Sequence, residues 1–164
     1  MNEFSTVSVR ADALLRTALP TEAELAYGYQ EGLLSAKGVV DVALELVKRG
    51  VDLSEAMTEI AYLLSDDVDR VGPFLEEVAK RPGPDVKRFW VYVCLRLATE
   101  DRTPLEALAV AAELFEAFDY DLSFQPFVPP LAPKMPSTDE LIRRLDAFLS
   151  SEEGWFTFRA GRTR

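Results

Sequence analysis

Five times along this chain a serine or threonine stands just ahead of a stretch whose apolar residues recur every three or four positions: Thr21, Ser35, Ser54, Thr103 and Ser137. A hydroxyl there can accept from the free amides of a first helical turn, so the repeated pairing of cap and 3.6-residue period predicts helices. Thr21 follows Pro20 and precedes Glu22 and Glu24, acids that suit the positive end of a helix running to about Leu34. Ser35 opens the next. Its inner face is Val39, Ala43, Leu46 and Val47, with Lys48 and Arg49 in the last turn and Gly50 as the stop. Ser54 starts a helix with Met57, Ile60, Ala61 and Leu64 inside. Asp66 or Asp67 starts a short one through Phe74, Leu75 and Val78, which Arg81-Pro82-Gly83-Pro84 ends. Thr103-Pro104 is a cap with proline at the first helical position. Leu105, Leu108, Ala109, Ala112, Phe115 and Phe118 mark its expected inner face. Ser137 and Thr138, followed by Asp139 and Glu140, begin a last helix that buries Leu141, Ile142, Leu145, Phe148 and Leu149.

Between these lies a segment from Asp85 to about Thr99 that is apolar nearly all round. Its aromatic and β-branched residues would suit a buried strand, but its length and its neighbours favour a helix, which becomes the expected central element around Trp90. The fold class is therefore all-α, with six to eight helices. Short connections make antiparallel neighbours, and both a compact bundle and a short α-solenoid-like stack of hairpins satisfy them. The expected organisation is one domain over residues 1–150 and a frayed tail over 151–164. Residues 119–136 hold five prolines and no periodicity. Phe124, Phe127, Val128 and Leu131 make that segment too apolar for a free linker, so it is expected to pack along the helices.

Composition narrows the function. The 164 residues include no histidine and one cysteine, Cys94, which lies in an apolar run. This removes the commonest general base and metal ligand and rules out a multi-thiolate zinc site, so neither metal nor cofactor is expected, nor enzymatic activity. Cys94 reads as an inert buried thiol. The net charge is −10, and residues 1–79 hold 15 acids against 6 bases while residues 80–164 hold 13 against 12. Such a chain repels phosphate backbones, so nucleic acid is not an expected partner. No stretch approaches a membrane span, and the N-terminus has no signal-peptide pattern, so a cytoplasmic location is expected.

Carboxylates pair at helical spacing in Asp41 with Glu45, Glu55 with Glu59, and Glu113 with Glu116, most simply as solvated helix faces. The group Glu113, Glu116, Asp119 and Asp121, beside the proline-rich segment, is the one with catalytic or binding potential. Asp66-Asp67-Val68-Asp69 lacks the spacing of a calcium loop and reads as a helix start. Gly28 and Gly32, one turn apart, suggest close helix packing. Tyr27, Tyr29, Trp90 and Tyr92 read as core or boundary residues before groove-lining ones.

Three stretches resemble a family of uncharacterised bacterial helical proteins: Leu25-Ala26-Tyr27-Gly28-Tyr29 with Leu33-Leu34, the Trp90 helix, and Ala117-Phe118-Asp119-Tyr120 leading to Phe127-Val128-Pro129. That family typically has proline after the tyrosine, where this chain has Asp121. The resemblance implies an interaction protein of the kind that neutralises bacterial toxins, and it transfers no catalytic residues. The expected function is a protein-binding module, in its most specific form an immunity protein covering a toxin's basic active site. The alternatives are a small carboxylate enzyme or a subunit of a larger assembly. The candidate partner-binding residues are Glu22, Glu24, Glu55, Glu59, Asp66, Asp67, Asp69, Glu113, Glu116, Asp119, Asp121, Phe124 and Phe127, and the expected partner is a protein with a basic surface.

Overall fold

A computed structural model describes residues 8–63, 65–80, 86–119, 121, 124, 126–127 and 136–162. Among these the chain is all-α. Eight α-helices run in the order α1 (Ala11–Thr17), α2 (Glu22–Gln30), α3 (Ala36–Lys48), α4 (Glu55–Ala61), α5 (Val71–Ala79), α6 (Val86–Glu100), α7 (Pro104–Ala117) and α8 (Thr138–Arg162), with a 3₁₀ helix over Ser65–Arg70 ahead of α5. No strand occurs among the described residues.

The hydroxyl caps decide where the helices begin. Thr21, Ser35, Ser54 and Thr103 each accept from the backbone amide three residues on, and Ser137 does the same for Glu140 at 3.2 Å. At Thr21 and Thr103 the bond is returned: Glu24 and Glu106 accept from the cap's own amide at 3.3 and 3.0 Å, which satisfies two orphan donors at each end. Glycine decides two of the stops. Gly50, at φ 78°, follows α3 as expected. Gly32, at φ 76°, ends α2 at Gln30, short of Leu34, because Leu33 bonds back to the Gly28 carbonyl at 2.8 Å. Gly32 is thus a turn residue and not part of a packing face.

Two compact units emerge from the chain's internal packing, Met1–Trp90 with Ala160–Arg164, and Val91–Arg159. In the first, α3 packs against α1, α2, α4, α5 and the 3₁₀ helix. Its stripe of Val39, Val42, Ala43 and Leu46 is buried, as are Met57 and Ile60 of α4 and Leu75 of α5, the helices it packs against. The expected partner residue Glu22 is used internally: its carboxylate accepts from both the amide and the hydroxyl of Ser54, which fastens the first turn of α2 to the cap of α4. Trp90 is fully buried and its indole N–H donates to the Glu24 carbonyl at 2.7 Å. The ring lies flat against Gly28, where an added Cβ would sit 2.1 Å from Trp90 Cζ2. Gly28 therefore has the close-packing role expected of it.

The second unit is built on Val91–Leu95, α7 and α8. Along α8 the buried positions are Leu141, Leu145, Leu149, Glu152 and Phe156, one continuous stripe. The helix does not stop near residue 150. It continues through residues 151–162, and Phe156 stacks on Tyr92 at 5.1 Å while Arg96 bridges Glu153 at 2.9 Å. The described part of the proline-rich segment packs as expected, with Phe124 5.8 Å from Phe115 and Phe127 5.2 Å from Phe148. Val128 and Leu131 lie outside the described residues.

Candidate functional site

α7 starts from its Thr103 capping box with Pro104 and carries only three charges, Glu106, Glu113 and Glu116, all acidic. Its other residues are apolar on every side, so periodicity allows more than one inner face. The structure chooses Ala107, Ala111, Leu114 and Phe118 as the buried stripe. The sequence reading, which placed Leu105, Ala109 and Ala112 inside, is corrected: all three are exposed, Leu105 to 64%. Positions 105, 109, 112 and 116 share one side of the helix, so the outer face reads Leu105, Ala109, Ala112, Glu116, with Glu106 and Glu113 alongside. The helix ends at Phe118, and Asp119 follows at φ 57°, a left-handed conformation that aspartate tolerates. Glu113, Glu116 and Asp119 are exposed and Asp121 is half-buried. Of the acidic group expected around the end of α7, Glu113 and Glu116 thus lie on its exposed side.

Other candidates fall into two classes. Glu55, Glu59, Asp66 and Asp69 are exposed, Asp67 is half-buried, and no ion pair engages them among the described residues. Glu24, Phe124 and Phe127 are corrections. Glu24 is 2% exposed because it closes the capping box, and both phenylalanines are fully buried in the ring cluster, so none of the three presents its side chain to a partner. An open cleft of about 540 Å³ lies beside α1 and α3, with Arg10, Asp12, Lys37, Asp41 and Glu45 on its wall. Arg10 bridges Asp12 and Arg49 bridges Glu45, each at 3.2 Å, so much of its charge is internally matched.

Residues 16–153 match the family described as an uncharacterized protein conserved in bacteria (DUF2247). The chain belongs to this family. No curated protein and no solved structure matches it. The match spans both units and includes all of α7, so the α7 face lies within the part of the chain that defines membership.

Two titratable groups of α6, Cys94 and Tyr92, are held toward their neutral forms. Burial pushes the Cys94 thiol up to about 12, which makes it a poor nucleophile. Burial also raises the Tyr92 hydroxyl; Glu153 and Glu152 add to the rise and Arg96 opposes it. Among the described residues no three cysteine, aspartate or glutamate side chains gather as a metal-holding group, and no helix is long and apolar enough to cross a membrane. Sequence reasoning missed the exposed strip of α7 and the exposed pair Trp155 and Phe158, whose rings lie 6.5 Å apart on α8. The signal for the first was present, because a helix apolar on both sides must either be covered all round or show one side.

Proposed function

We propose that this protein is a protein-binding module that acts by binding and not by catalysis, in its most specific form a cytoplasmic immunity protein against a bacterial toxin. The observation that supports the reading is that the exposed carboxylates of Glu55, Glu59, Glu113 and Glu116 stand on helices with side-chain caps, already placed before a partner arrives. Their distribution differs from the one expected. Along the sequence the charge lies in the first half, yet the first unit holds 16 acids and 12 bases while the second holds 12 and 6, net charges of −4 and −6. The smaller unit is therefore the more acidic, and Glu113, Glu116 and Asp119 weigh as much in the reading as Glu55, Glu59, Asp66, Asp67 and Asp69. Fixed negative charge steers a basic partner and raises its association rate, an attraction that salt screens over about 10 Å at 0.1 M.

The test begins with partner capture on the full chain, followed by association kinetics of the identified pair across a salt series. The on-rate is expected to fall about tenfold or more from low to high salt while the off-rate changes less. A flat on-rate, or a partner with an acidic binding surface, overturns the reading. The immunity form makes a further demand: co-expression must restore growth to cells that the captured partner poisons.

A further inference from the structure

We draw no further inference here: the strongest candidate, the exposed aromatic patch of Trp155 and Phe158 on α8, is an apolar helix face and nothing in the structure shows what covers it.

Discussion

α6 and α7 are both apolar nearly all round, and the fold treats them differently. In α6 seven consecutive residues, Phe89 to Leu95, are buried, so every side of those two turns is covered. In α7 only the side carrying Ala107, Ala111, Leu114 and Phe118 is buried, and Leu105, Ala109 and Ala112 face solvent. The difference lies in the size of the side chains. α6 carries Phe89, Trp90 and Tyr92, each large enough to organise a separate set of neighbours, and burial of such rings dominates core energetics. α7 carries five alanines, and an exposed alanine costs little because it hides and shows little surface. A helix of alanines can thus be hydrophobic by composition and still be tolerated on the outside.

The largest effect that could break this comparison is at Trp90. Trp90→Ala removes a fully buried ring and leaves the Glu24 carbonyl without its indole partner, and it is expected to cost about 3–5 kcal/mol in urea unfolding. A near-unchanged midpoint would mean that α6 is no more committed to the core than α7. Gly28→Ala is expected next. Alanine gains up to about 1 kcal/mol over glycine in a helix interior. The added Cβ would lie 2.1 Å from a ring that is buried and pinned by its hydrogen bond, and overpacking of this kind costs about 1–3 kcal/mol. The clash should win, for a net loss of up to about 2 kcal/mol. A raised midpoint would show that the indole can move aside.

What could be read from the sequence was local chemistry. Thr21, Ser35, Ser54, Thr103 and Ser137 each cap their helix because the interaction closes within three residues, and Gly50 stops α3 for the same reason. α1 escaped notice because its cap, Arg10, makes no side-chain bond. The inner stripes of α3, α4 and α8 were legible because each has one apolar side. α7 was not, since two stripes satisfied the same period and only the neighbours choose between them. Glu22 was offered to a partner because Ser54, which it holds, is 32 residues away, and Phe124 and Phe127 were offered to one although the segment was expected to pack, because nothing in a proline-rich stretch shows which way a ring turns. The end of α7 was recognised as a candidate site by its acids, but its apolar strip had been counted as core.

Cys94 tests the enclosure of α6 by pH. Its folded pKa of about 12 lies above the ordinary thiol value, so the unfolded chain loses this proton first. The sign follows: the stabilising contribution is complete below about pH 9 and is lost as pH rises toward 12, with a slope of at most about 1.4 kcal/mol per pH unit. Tyr92, also raised by burial, adds in the same direction at higher pH. Denaturation midpoints between pH 8 and 11 should therefore fall, and Cys94→Ala should remove the part that begins near pH 9. Rapid labelling of Cys94 by a thiol reagent at pH 8 in the folded protein would contradict the burial of this side of α6.

The smallest expected effect is the one that most sharpens the contrast. Leu105→Ala deletes as many atoms as a leucine truncation in α6 would, but from a side chain that is 64% exposed. Most of its apolar surface is in water in the folded chain as well as in the unfolded one, so little transfer free energy is at stake. No cavity forms, because no packed neighbours surround the position. Alanine is also the better helix former by a few tenths of a kcal/mol. Stability should stay within about 0.5 kcal/mol, as for surface substitutions away from special features. A loss of 2 kcal/mol or more, typical of a buried leucine, would mean that this side of α7 is covered within the molecule.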